Sequence, residues 1–178
     1  PVGYTLESDG EADTAAESQG QIISSAAIFF VLIIIGLVAA LNSFTQAGII
    51  LSVAFLCVGL SFVGLVVGQQ NYGFIATVGA IGLAGLAIND SIVILSHIKE
   101  EAEKNALTKA QLVEIVIRST RHVLTTSATT IGGFLPLLFA SLFFRPLAWG
   151  MIVGVIGSSI IAVFYIPAMF IYLKKIKI

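Results

Sequence analysis

Charge is what this sequence has least of. Only 11% of its 178 residues are charged, against roughly 25% in an ordinary soluble domain. The mean hydropathy is +1.03. So few charges cannot cover a soluble globule, whereas in lipid the apolar side chains face outward. The formal net charge of −1 argues against a nucleic-acid partner. Cysteine is nearly absent too. Cys57 stands alone in an apolar run, so no disulfide forms within the chain, and it reads as a small packed hydrophobe. His97 and His122 are separated by a polar connection, with no cysteine or carboxylate at ligand spacing. No metal site and no cofactor is expected. There is no nucleophile–base pair and no phosphate-cradling glycine loop, which argues against a hydrolase or ATPase. No secretory leader is expected in this stretch of sequence. The first twenty residues carry Glu7, Asp9, Glu11, Asp13 and Glu17 without any Lys or Arg, whereas a leader begins basic and turns apolar. The chain starts at Pro1 and is expected to be a fragment or an excised piece.

What is present is apolar length. A bilayer core needs about 20 apolar residues in a helix. Five segments meet that length: about 21–41, 47–68, 72–98, 122–143 and 146–173. The expected class is an all-α membrane protein of five transmembrane helices. The connections are short except for Lys99–Arg121. There Leu112, Ile115 and Val116 recur at helical spacing among Lys99, Glu100, Glu101, Glu103, Lys104, Lys109, Glu114, Arg118 and Arg121. This predicts an amphipathic helix over about 102–119, lying along the cytoplasmic membrane surface. Orientation follows the positive charges. Five Lys/Arg residues in that connection and Lys174, Lys175 and Lys177 fall on one side, and Arg145 alone falls on the other. The amino terminus is expected outside and the carboxy terminus in the cytoplasm.

The third span is rich in small residues, with Ala76, Ala80 and Ala84 on one face, which suits close helix contacts. Pro136 and Pro167 fall inside the fourth and fifth spans and predict kinks there.

Asp90 is the one acidic residue inside any predicted span. A carboxylate at the bilayer centre costs about 2.5–3.5 kcal/mol on the insertion scale. It must be protonated, paired or facing water, either as part of a proton relay or as a neutral structural hydrogen-bonding group. Asn89 and Ser91 flank it. His97 follows seven residues later on the same face, as an interfacial residue or a proton shuttle. Arg121 opens the fourth span ahead of Thr125-Thr-Ser-Ala-Thr-Thr130. Those hydroxyls either bond carbonyls of their own helix or line a polar seam. Arg121 is either a counter-ion for Asp90 or a basic anchor.

These motifs resemble the RND (resistance–nodulation–division) permeases over essentially the whole chain. Asn42-Ser-Phe44 resembles the signature that follows the corresponding helix there. Gly79-Ala-Ile-Gly-Leu-Ala-Gly-Leu-Ala-Ile-Asn-Asp-Ser-Ile-Val-Ile-Leu95 resembles the charged mid-bundle helix of the second half. Arg121-His-Val-Leu-Thr-Thr-Ser-Ala-Thr-Thr-Ile-Gly-Gly-Phe-Leu-Pro-Leu137 resembles the next helix, and Arg145-Pro-Leu-Ala148 and Ile166-Pro-Ala168 the two ends of the last. The resemblance implies a second-half RND helical bundle, holding the eighth to twelfth helices of a twelve-helix permease. Residues 1–20, with Pro1-Val-Gly-Tyr4, would end the periplasmic porter region, and 21–178 would form the membrane bundle.

The implied function is proton-driven efflux of drugs or other solutes, as in the multidrug and heavy-metal exporters. The implied machine is a secondary transporter and not an enzyme. It sits in the inner membrane as a homotrimer with a periplasmic adaptor and an outer-membrane channel. Its partners are the bilayer and the missing amino-terminal half of the same permease, without which this chain is inactive. The implied proton relay uses Asp90, Asn89, Arg121, Thr126 and Thr130. Two positions depart from the pattern: Asn89 stands where the best-known multidrug members carry Lys, and Ala47 stands where many carry Pro. Two other readings compete. One is a Sec-type protein-export motor, whose corresponding helix also resembles Asn89-Asp-Ser-Ile-Val93. The other is a truncated structural or assembly piece.

Overall fold

The computed structural model describes residues 11–104 and 109–174. Residues 1–10, expected to end the porter region, lie outside the described residues, as do Lys175 and Lys177. The described residues form six helices and no strand: α1 (Glu11–Leu41), α2 (Phe44–Val67), α3 (Phe74–Lys104), α4 (Lys109–Phe134), α5 (Leu137–Ala140) and α6 (Arg145–Lys174). Five of them are long and apolar enough to cross a membrane.

Local chemistry sets the boundaries. Asn42 takes φ 49° between α1 and α2, a left-handed conformation that asparagine tolerates. Ser43 then caps α2, its hydroxyl accepting from the Gln46 N–H at 3.4 Å in place of a missing helical carbonyl. At the other end Gln69 takes φ 52°. The Gln70 N–H donates to Leu65 O and the Gln69 N–H to Val66 O, which satisfies the last carbonyls in a Schellman arrangement.

Pro136 does more than kink the fourth span. The residue ahead of a proline is pushed out of the helical region, and α4 stops at Phe134. The chain then continues as the four-residue α5 and a turn into α6. Pro167 stays inside a continuous α6. The amphipathic stretch expected as a surface helix is not a separate element. Its described residues are divided between the last turns of α3, which runs on to Lys104, and the first half of α4, which continues unbroken from Lys109 into the apolar span. Helix propagation adds one hydrogen bond for each residue fixed. No proline or glycine between Lys109 and Ile131 interrupts it.

α6 packs against α2, α3 and α4. The buried core includes Ile50, Val53 and Cys57 of α2, Leu83, Ala87, Ile94, Leu95 and Ile98 of α3, Val123 of α4, and Val155, Ala162 and Ile166 of α6. α2 and α6 touch backbone to backbone, and a Cβ on Gly64 would stand 2.5 Å from Trp149 O. Small residues permit that approach, which is how helices gain dispersion energy in lipid. Hydroxyls add interhelical bonds. Ser52 Oγ lies 3.0 Å from Tyr165 Oη, and Ser127 Oγ lies 2.6 Å from Ser159 Oγ. α1 and α4 stand at the flanks, with 11% of their span residues buried, against 44% in α2, α3 and α6.

Candidate functional site

The site is built on α3. Asp90 is fully buried at 0% exposure, one position before the equally buried Ser91 and between Ala87 and Ile94, one turn to either side. Ser91 is satisfied within its own helix, its hydroxyl donating to Ala87 O at 2.5 Å. Asp90 is not satisfied. Among the described residues, neither carboxyl oxygen has a hydrogen-bond partner. An ionised carboxylate there lacks every compensation that burying a charge demands. The bundle thus buries one carboxyl at its centre and leaves its proton chemistry unspent.

The other predicted residues are distributed differently. Asn89 is exposed on an adjacent face of α3, and Arg121 is exposed on α4. Arg121 lines a cavity of about 610 Å³ on the open side of α4, with Thr120, Leu124, Thr125 and Thr129 among its neighbours. The threonines back-bond along the helix. Thr126 donates to His122 O at 3.1 Å and Thr130 to Thr126 O at 2.8 Å. No hydrogen bond joins Arg121, Thr126 or Thr130 to Asp90.

Several contacts escaped the sequence. His97 Nδ1 lies 3.0 Å from Ser119 Oγ and ties α3 to α4. Lys99 Nζ donates to Leu41 O, the last carbonyl of α1, at 2.7 Å. Cys57 lies on the same face as Ile50 and Val53, and that spacing was the signal that it faces the core. Among the described residues, no group of three or more His, Cys, Asp or Glu side chains is placed to hold a metal ion.

The pattern of the AcrB/AcrD/AcrF family matches residues 1–174. The chain belongs to that family of RND permeases. Members of the family are transporters, not enzymes, and RND efflux pumps work with adaptor and outer-membrane channel proteins. The chain is similar to the nickel-cobalt-cadmium resistance protein NccA of Alcaligenes xylosoxydans xylosoxydans, at 25% identity over 94% of this chain and 16% of that protein. It is also similar to the nickel and cobalt resistance protein CnrA of Cupriavidus metallidurans, at 23% identity over 95% of this chain and 16% of that protein. The crystal structure of a heavy metal efflux pump has the same fold, with a TM-score of 0.80 at 21% identity, over 93% of this chain and 17% of that one. The chain therefore spans about one sixth of the length of these RND proteins.

Proposed function

We propose that the chain is the carboxy-terminal membrane part of a proton-driven RND exporter, and that Asp90 takes up and releases the transported protons. The observation that carries this reading is a carboxyl at 0% exposure with neither oxygen hydrogen-bonded. Intramembrane carboxyls of this kind are expensive and mark proton pathways. Asn89, Arg121, Thr126 and Thr130 complete the relay from faces that this chain leaves open, where the rest of the same permease packs. The rest of the assembly is a homotrimer in the inner membrane, with its periplasmic adaptor and outer-membrane channel. The amino terminus is periplasmic and the carboxy terminus cytoplasmic. The names of the two relatives favour a divalent transition-metal cation as the exported solute over a drug.

Asp90→Asn in the full-length permease tests this reading. Nickel or cobalt efflux and proton influx, measured in proteoliposomes at matched protein, are both expected to disappear. Normal coupled efflux in the variant would remove the relay role and leave this chain a structural part of the bundle.

A further inference from the structure

The segment between α4 and α6 turns apolar side chains outward. Pro136 interrupts the helix, and residues 135–144 then carry Leu135, Phe139, Leu142, Phe143 and Phe144 at the surface, with Phe139 82% and Leu142 73% exposed. The backbone there supplies many of its own hydrogen bonds. The Leu138 N–H donates to Leu135 O, and the Phe139 and Ala140 N–H groups both donate to Pro136 O. The Phe143 N–H donates to Ser141 Oγ at 3.2 Å. α5 ends at Ala140, so no α5 residue lies one turn beyond Leu138 to donate to its carbonyl. Arg145 Nε donates to it instead, at 3.0 Å. The Phe143 and Phe144 rings meet edge to face, with centroids 5.1 Å apart. An apolar medium excludes irregular backbone with unmet polar groups, and this segment meets much of that demand internally.

The depth of the segment follows from α6. That helix has 30 residues and is about 45 Å long at about 1.5 Å per residue. A bilayer with its headgroups is about 40–45 Å thick. The only charged residues of α6 are its two ends, Arg145 and Lys174. Arg145 therefore stands at the headgroup level of one leaflet, and the bond to Leu138 O holds α5 at that level. No Asp or Glu follows Glu114 in the sequence, so neither α5 nor α6 offers Arg145 a carboxylate. Its guanidinium has five N–H donors, and Nε supplies only one of them. The Nη groups have the planar geometry that binds a phosphate.

We propose that residues 135–144 form an interfacial anchor in the leaflet at the amino-terminal end of α6. Phe139, Leu142 and Phe143 enter the upper acyl region, and Arg145 meets the phosphate of a phospholipid headgroup. The partner is the lipid itself, because an exposed aromatic surface and a cation with no acid nearby, both at headgroup depth, match the two layers of a leaflet in order. Arg145 joins the two parts: its Nε fixes the turn and its Nη groups face the phosphates. The anchor does not depend on which solute the permease moves or on whether Asp90 carries protons.

The test uses the full-length permease in vesicles of phosphatidylethanolamine and phosphatidylglycerol. Phe139→Cys, Leu142→Cys and Phe143→Cys are each spin-labelled, with the unsubstituted protein as background. Collision rates are measured with oxygen, which concentrates among acyl chains, and with a neutral nickel chelate, which stays in water. All three sites are expected to collide often with oxygen and rarely with the chelate. Low collision with both would show that another part of the permease covers the segment, and would overturn the proposal. High collision with the chelate would place it in water and overturn it equally. Arg145→Gln tests the headgroup contact. It removes the Leu138 bond in any medium, so its Tm is expected to fall further in these vesicles than in a maltoside detergent, which carries no phosphate. An equal fall in both media would leave Arg145 as a clasp on Leu138 alone and overturn the phosphate contact.

Discussion

At Asp90 the chain concentrates its one intramembrane acid, and the neighbours at Ala87, Ser91 and Ile94 give it nothing to bond to. Arg121, read from the sequence as either a counter-ion or a basic anchor, lines the open side of α4. Helix geometry explains the difference. Residues four apart share a face, whereas neighbours in sequence are turned by roughly 100°. The buried Val123 and Ser127 therefore define the inward face of α4, and Arg121 stands off it. Arg121→Ala is expected to slow coupled nickel efflux in the full-length permease without lowering Tm, since Arg121 is exposed on α4 in this chain. A fall in Tm with normal efflux would make it an anchor. Asp90 itself was legible as the candidate site because its type is so improbable at that depth. Its lack of partners was not legible, since partners come from other helices.

At the scale of elements, α1 is held chiefly at one end. Leu37 and Leu41 are buried, Lys99 donates to the terminal Leu41 carbonyl, and most of residues 27–36 is exposed. A cation at a helix C-terminus also meets the negative end of the helix dipole. Lys99→Met is expected to raise amide hydrogen exchange selectively in the last turns of α1, by about tenfold, the equivalent of about 1.4 kcal/mol for a charged hydrogen bond. Unchanged exchange there would show that apolar contact alone holds the helix. The α2–α6 seam makes a sharper demand. Gly64→Val must push α6 away, because the added carbon meets the Trp149 carbonyl and Gly150 backbone, neither of which can swing aside. Overpacking of this kind costs about 1–3 kcal/mol, read as a lower Tm of the detergent-solubilised permease, and an unchanged Tm would mean that the seam gives. The spans themselves were legible from apolar length. The break after Phe134 and the continuity of α4 from Lys109 were resolved less well, because proline position and hydrogen-bond propagation, not hydropathy, decide where a helix stops.

For the whole molecule, the expected orientation has a direct test by thiol labelling against the unsubstituted protein, because Cys57, the one cysteine in this sequence, is buried. Asn71→Cys is expected to react with a membrane-impermeant maleimide in spheroplasts, and Glu114→Cys only after permeabilisation; the reverse pattern would invert the topology. The sequence by itself determined the membrane class, the five spans, the family and the one acid at the centre. These follow from solvent: lipid demands long apolar helices, and any charge among them stands out. Only the tertiary structure decided which faces meet. It set Asp90 apart from Arg121 and brought Ser127 to Ser159, because interhelical register depends on where the small residues let two backbones approach. That is a property of pairs of helices, which no single helix carries in its own sequence.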